Sequence, residues 1–452
     1  MKKSHHKEFV VLGAGLSGTL MAIRLAQRGY DVELFEKRED LRHANIDAGR
    51  SINLALSDRG LKALRMVGLE DEAKELVIPM YGRMIHPLNG NPQLYRYSGR
   101  SHEWINSISR PGLNSILLDK AEKYSNLKLR FSCPAEKVDT AAQMITFEEG
   151  SIVSHLDVSK KMVIGADGAS SALRKSYQER SIEIRFDFSQ TFLDTGYKEL
   201  CLPAGEDASF QIEKNALHIW PRNGFMMIAL PNLDGSFTVT LFMPFEGKVG
   251  FNSLTDNHSI EKFFHSNFPD VIHFFPDLIE QFQKNPASSL GTIRCYPWLL
   301  EDRYLLLGDA SHAIVPFYGQ GMNCAFEDCV VLDQCIELDH AHWHDIFNNY
   351  QIQRKVDTDA IASLAEDNFY EMRDATADPV FNKKRQIELK LEKEYPEYFS
   401  KYSLVTFQED LPYSQAMKKG RAQDKLLMDI ALNVKDVETV NLKEVLNMLK
   451  HL

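Results

Sequence analysis

The chain has 452 residues, 44% of them hydrophobic and 25% charged, enough for about three structural units or one large enzyme with an inserted domain. That composition excludes wholesale disorder, a collagen-like repeat and a small disulfide scaffold, and a net charge of −11 argues against a general nucleic-acid coat. Cys133, Cys201, Cys295, Cys324, Cys329 and Cys335 form no CxxC pair and no cluster at structural-zinc spacing, so no metal is expected and a reducing, cytoplasmic location is. No apolar run reaches about 18 residues, so no membrane span is expected, and the run Phe9–Leu12 is too short for the core of a signal peptide.

Residues 9–36 read FVVLGAGLSGTLMAIRLAQRGYDVELFE. A buried strand, Phe9–Leu12, leads into a GxGxxG turn, then a helix with Leu16, Leu20 and Ile23 on one face and a stop at Gly29, then a second strand, Asp31–Phe35, ending at Glu36. In that context the motif reads as a dinucleotide site. Gly13 permits the tight turn, Gly15 lets the backbone approach a pyrophosphate, and Gly18 lets helix and strand pack closely. Leu16 and Ser17 open the helix whose free N–H groups face the phosphates, and Glu36 accepts from a ribose diol. Lys37 and Arg38 reach the adenine or a phosphate, or form a solvated pair. The motif alone does not separate FAD from NAD.

Residues 80–98, MYGRMIHPLNGNPQLYRYS, are two strand-like runs around an Asn89-Gly90-Asn91-Pro92 turn. With Gly90 as the centre, Arg83 and Tyr97 sit opposite each other on one face. A planar guanidinium and a phenol suit a carboxylate; an exposed Arg packed on a surface Tyr fits the same pattern, and the residues alone favour that plainer reading. Further on, the strand Met162–Ile164 meets Gly165-Ala166-Asp167-Gly168. The strand Tyr304–Leu307 meets Gly308-Asp309, and a loop with Pro316, Gly319 and Gly321 opens a long helix from Met322-Asn323 to about Ile336. Asp309 is placed to bond a polyol chain, and the helix start offers a positive dipole end to an anionic ring. After Asp359, Asn368, Glu371 and Met372 share a helix face. His312 sits in a turn and is read as hydrogen-bonded, not as a base. Ser17 and Ser311 lack a triad pattern.

An N-terminal GxGxxG, a central DG and a late GD, in that order, resemble the single-component FAD aromatic hydroxylases, of which para-hydroxybenzoate hydroxylase is the prototype. The likeness covers roughly residues 8–375. GRSINLALSDRG (49–60), YGRMIHP (81–87), PFYGQGMNCAFED (316–328), DNFYEMRD (367–374) and KYSLVTF (401–407) are similar, more closely, to the L-kynurenine 3-monooxygenase family. The resemblance implies an α/β fold: a Rossmann-like FAD domain from 1–75, 100–180 and 290–375, a β-rich substrate domain from 76–99 and 181–289, with strands near Ala216–Trp220, Phe225–Ala229 and Phe237–Phe242, and a helical C-terminal region, 376–452. It implies non-covalent FAD, NADPH as reductant, and hydroxylation of L-kynurenine to 3-hydroxykynurenine by O2 through a flavin hydroperoxide. Ala55 and Arg110, the latter beginning a helix after Pro111, join the FAD contacts. Arg83 and Tyr97 become the carboxylate pair, with Asn368 and Tyr402 beside them. Phe237 and Phe317 wall the ring, Gln320 meets a polar group on it, and Glu371 and Met372 line the pocket. All are positioning residues, because the cofactor carries the chemistry. Membrane-bound members carry an apolar C-terminal anchor that this tail lacks, so a soluble form whose tail covers the active site is expected. The alternatives are another FAD-dependent hydroxylase or reductase on the same scaffold, or a non-catalytic flavin-binding sensor. Nothing in the sequence fixes an oligomeric state.

Overall fold

Phe9, Val10, Val11 and Leu12 are each no more than 1% exposed, as befits a strand covered on both faces. In the computed structural model, which describes residues 7–43, 53–338, 342–374 and 378–452, they form the strand Glu8–Leu12 inside a six-stranded sheet. Its order is 299–300, 304–306, 161–165, 8–12, 31–35, 127–130. All neighbours run parallel except the short 299–300 edge. The helices Leu16–Gln27, Arg110–Ala121 and Gly321–Leu338 pack on it. The GxGxxG, DG and GD motifs all follow strands of this one sheet, so chain segments far apart in sequence bring their strand ends together. Residues 49–52 of the GRSINLALSDRG run lie outside the described residues.

A seven-stranded sheet lies beside it, ordered 288–296, 187–202, 237–244, 226–231, 217–221, 82–85, 93–96. Its central strands, 217–221, 226–231 and 237–244, are buried on both faces. Phe237, Val239, Leu241 and Met243 point into a core shared with the helices Asn257–Asn267 and Leu278–Lys284. Phe242, Met226 and Ile219 point into another core, shared with Phe317, Phe369 and Leu404. The strand Ser288–Tyr296 pairs with Asp187–Leu202 over most of its length. The return to the nucleotide sheet therefore comes after Tyr296, later than the boundary expected at 290. The strand Val77–Met80 belongs to a separate three-stranded sheet with Asn53–Leu56 and Ile105–Ser109.

The helix Trp343–Asp374 leads to the C-terminal helices Pro379–Glu394, Tyr413–Asn433 and Leu442–Lys450. These share a core of Ile387, Leu391, Leu427, Val445, Leu446 and Leu449, so the amphipathic last helix spends its apolar face on its own neighbours. Among the described residues no helix is long and apolar enough to cross a membrane.

A chain of buried charges ties these parts together. Arg59 and Arg354 both bond Glu327, at 2.7 and 2.8 Å. Arg354 also bonds Asp328 at 2.7 Å, and Asp328 meets His312 Nε2 at 2.5 Å. Burial by itself disfavours the His312 imidazolium, but the Asp328 carboxylate and the Cys324 thiol overcome this and lift it to about 10. Arg354→Ala leaves two acids short of their cation, which costs about 3–5 kcal/mol, readable as a lowered urea midpoint. The His312 contribution is fully present below its ordinary value of 6.5 and is lost as pH rises through about 10. Stability should fall over that window in the parent protein, and His312→Gln should remove that component of the fall.

Candidate functional site

Gly13 adopts φ +97, and a Cβ there would lie 2.5 Å from the Ala166 carbonyl oxygen. At Gly18 a Cβ would lie 2.0 Å from the Gly13 carbonyl oxygen. Both glycines are thus required by protein packing, the first against the DG segment and the second between helix and turn. Gly15 differs: nothing lies within 4 Å of the position of its Cβ, so the turn faces open space. Glu36 is buried at the end of its strand and accepts from the Ala14 N–H at 2.9 Å and from Arg38 Nε at 2.7 Å. Burial opposes its ionisation, but Arg38 and the Ala14 N–H hold the carboxyl below the usual range. Arg38 is therefore engaged by Glu36, while Lys37 is exposed.

The other nucleotide-site candidates gather at the same strand ends. Asp167 accepts from the Ala172 N–H at 2.6 Å, and its second oxygen is buried with no partner. Asp309 is exposed to water yet crowded by protein, as at the floor of a cleft. That crowding pushes its carboxyl up, against the pull of Arg110 and His312. Arg110 opens its helix, with Ser109 as the cap accepting from Gly112 N–H at 3.3 Å and Pro111 in the first turn, where Pro is favoured. Gly308 and Gly319 take φ of +61 and +66; a Cβ would meet Ser17 Oγ at 2.9 Å in the first case and Ala55 Cβ at 2.9 Å in the second. Asn323 is fully committed: its amide donates to the Ala55 and Gly319 carbonyls at 2.8 and 2.9 Å, and its oxygen accepts from the Ser57 N–H at 3.0 Å. It closes the glycine loop onto the strand Asn53–Leu56 and leaves no side-chain donor for a ligand. Leu16, Ser17, Gly321 and Met322 stand at the two helix starts.

The substrate-side candidates divide. The hairpin register pairs Arg83 with Tyr95 and Gly82 with Arg96, which centres the turn on Asn89. Tyr97 is consequently the diagonal neighbour of Arg83, on the same face. The Arg83 guanidinium lies 5.8 Å from the Tyr97 ring and 5.0 Å from the Tyr402 ring. Tyr97, Tyr402 and Tyr318 stack in series, at 5.2 and 5.5 Å. Arg83 Nε and the Tyr97 hydroxyl are buried without a hydrogen-bond partner. Burial drives the Tyr97 phenol well above its ordinary value, Arg83 opposing, so it remains a donor. Arg83, Tyr97 and Tyr402 line a pocket, partly open to solvent, together with Glu371, Arg385 and Lys401. Its far wall is the C-terminal region: Arg385 donates to the Tyr97 carbonyl at 2.7 Å, and Glu392 accepts from the Gly99 N–H at 2.9 Å.

Asn368 donates to the Phe317 carbonyl at 2.6 Å and to Met372 Sδ at 3.3 Å, so it braces the loop that carries Phe317. Phe317 packs on Phe242 and Phe369 at 4.9 and 4.5 Å. Gln320 is buried and accepts from the Tyr413 hydroxyl at 2.9 Å, facing the tail. Phe237 does not join the group: it lies on the opposite face of the seven-stranded sheet from Arg83, edge-on to His218 at 5.6 Å. Sequence reasoning missed Tyr318, whose only local signal is its place in the glycine loop, and Arg59, which donates to the Val405 and Gln408 carbonyls, both at 2.9 Å, and stacks on Tyr413.

Residues 7–338 match the family model described as an FAD binding domain. Over 86% of its length the chain resembles the solved 2-methyl-3-hydroxypyridine-5-carboxylic acid oxygenase, with TM-score 0.65, 20% identity and 98% of that chain covered. Fold and nucleotide cleft are thus those of the FAD-binding aromatic hydroxylase class. The kynurenine 3-monooxygenase of Myxococcus xanthus is 44% identical over 451 residues, 100% of this chain and 96% of that one. That of Dictyostelium discoideum is 42% identical, over 97% and 96%. The chain belongs to the kynurenine 3-monooxygenase family.

Two outcomes follow from this geometry. Asp309→Ala should weaken FAD retention by about 1–3 kcal/mol, measured as the dissociation constant for FAD. Arg83→Ala should lower kcat/KM by about 2–5 kcal/mol, roughly 30- to several-thousand-fold, while Tyr97→Phe costs about 0.5–1.5 kcal/mol. Arg83→Lys should recover only part of the loss, since an ammonium lacks the planar fork. FAD occupancy, measured alongside, should stay normal in the three hairpin variants.

Proposed function

We propose that this protein hydroxylates L-kynurenine at the ring carbon ortho to the amino group, consuming NADPH, a proton and O2 and releasing 3-hydroxy-L-kynurenine, NADP+ and water. The observation that carries the site assignment is the pair of buried, unpartnered donors on Arg83 and Tyr97, set side by side where a small anion can satisfy both. A buried donor without a partner costs about 1–3 kcal/mol, and a bound carboxylate relieves it.

The cleft suits FAD: open space at Gly15 for a pyrophosphate, an unpartnered oxygen on Asp167, and a water-accessible Asp309. In this reading Gly13, Gly15 and the helix start at Leu16-Ser17 take the phosphates, Glu36 with Arg38 takes the adenosine ribose end, and Asp167, Asp309 and Arg110 take the remainder of the chain. Ala55 and Gly319–Met322 frame the ring by their backbone. FAD, when bound and reduced, supplies the activation of dioxygen. The chain's own residues orient the substrate. Arg83 takes the carboxylate in two bonds, Tyr97 and Tyr402 donate beside it, and the Tyr97–Tyr402–Tyr318 stack holds those hydroxyls in place. Phe317, with Phe242 and Phe369 behind it, keeps water from the ring. Asn368 fixes the Phe317 loop. Glu371, which accepts from Lys401 at 3.3 Å, stands ready for the substrate ammonium.

All six cysteines are free thiols, which supports the cytoplasmic setting we assign, and the acidic net charge supports the absence of a nucleic-acid partner. The deciding experiment is mass-spectrometric identification of the product from kynurenine, NADPH and O2. A product sixteen mass units heavier, hydroxylated ortho to the amino group, is expected; NADPH oxidation yielding only hydrogen peroxide with every kynurenine concentration tried rejects the reading.

A further inference from the structure

On the face of the seven-stranded sheet away from the clamp lies a chain of side-chain hydrogen bonds that the reaction does not use. Asp270 Oδ2 meets His86 Nδ1 at 2.7 Å, His86 Nε2 meets His218 Nδ1 at 2.8 Å, and His218 Nε2 meets the Glu213 carbonyl at 2.6 Å. Both rings are almost fully buried, and His86 stacks on Trp220 at 4.1 Å. The titratable or charged groups against His86 are Asp270, His218 and Arg222, whose guanidinium donates to the His86 carbonyl at 2.9 Å.

The hydrogens in this chain can be counted. A carbonyl oxygen only accepts, so His218 Nε2 carries a hydrogen. A second lies between the two facing ring nitrogens. A third lies between His86 Nδ1 and Asp270. Burial works against ionising Asp270, but the bonds from His86 and Trp220 outweigh it and keep the carboxyl below its ordinary value, so the third hydrogen belongs to His86. Three hydrogens on four ring nitrogens give the pair one positive charge. Burial, with the charge of His86 beside it, pushes His218 down to about 4, which leaves that charge on His86. If the pair loses a proton, two hydrogens must serve three bonds, and two bare nitrogens face each other across the ladder.

That ladder carries Arg83. Residues 83–85 pair with 217–219 in parallel, three residues long, extended by the His86 N–H to the Ile219 carbonyl at 2.9 Å. The other pairings in this sheet are antiparallel. The side-chain bridge pins so short a ladder from behind, three residues from the guanidinium.

We propose that the His86–His218 pair is a positioning element of the carboxylate clamp, in which one shared proton, balanced by Asp270, holds the Arg83 strand in register for the anionic substrate. The proposal rests on Arg83 as the carboxylate ligand. The test measures KM for L-kynurenine, kcat and FAD content in the parent protein, His86→Phe, Asp270→Asn and Arg83→Ala. His86→Phe should raise KM about tenfold, the scale of one lost charge-assisted bond, with kcat and FAD content unchanged. Asp270→Asn, which keeps the ring pair but removes its counter-charge, should raise KM by less, again with kcat and FAD content unchanged, and serves if His86→Phe fails to fold. An unchanged KM in the variants that fold, or a fall in kcat or FAD content as large as the change in KM, overturns the proposal. An unchanged KM in Arg83→Ala overturns the clamp itself, whatever the histidine variants do.

Discussion

Three basic and two acidic side chains, stripped of water, hold the molecule in one arrangement. Arg59, Glu327, Arg354, Asp328 and His312 come from the helices Asp58–Val67 and Gly321–Leu338, the long helix Trp343–Asp374 and the short helix Asp309–His312. Arg59 extends the chain to carbonyls of the C-terminal segment. Each charge is affordable only with its partner in place, so the network tolerates one geometry. That geometry sets the glycine loop 316–321 against the strand that carries Ala55, and sets Tyr402 against Arg83. A structure in which the glycine loop and the Arg83 hairpin belong to different layers needs such a brace, because neither layer by itself fixes the distance between them.

The proposed clamp draws its parts from several layers. The hairpin supplies Arg83 and Tyr97, the glycine loop supplies Tyr318, and the segment Lys401–Thr406 supplies Tyr402. Each contributes a ring or a charge that is unremarkable in its own element. Stacked, the three rings immobilise two hydroxyls beside a guanidinium, which is the pre-organisation that a small anion requires. The tail takes part through Arg385 and Glu392, whose bonds end on the hairpin backbone.

The nucleotide half was legible because its signals are local. The turn at Gly13, the helix from Leu16 and the acid at Glu36 follow one another within a single strand–helix–strand unit, and each residue type answers to a steric or charge demand made by its neighbours. The hairpin was legible as a hairpin, yet its centre fell at Asn89: the strands end at Ile85 and resume at Gln93, and the glycine, with φ +113, serves the loop away from its middle. Phe237 illustrates a deeper limit. Its strand is covered on both faces, by different cores, which erases the alternation that tells one face from the other. No inspection of FTVTLFMP says which parity faces the Arg83 side of the sheet. Arg59 and Arg354 were invisible for a related reason. A single arginine on a helix reads as solvated surface, and only the tertiary arrangement turns it inward.

Arg59 and its acceptor on Val405 are separated by 346 positions. The chain emerges from the ribosome N-terminus first, so the dinucleotide turn is made early and waits for its partners. The strand Tyr304–Leu306 must arrive before the nucleotide sheet has its GD edge, and the segment from Lys401 must arrive before Arg83 meets Tyr402. Contacts of such separation close slowly and late. The pocket around Arg83 thus stays unfinished until the segment from Lys401 has been made, and a nascent chain with its dinucleotide turn in place has as yet nowhere to seat a second ligand.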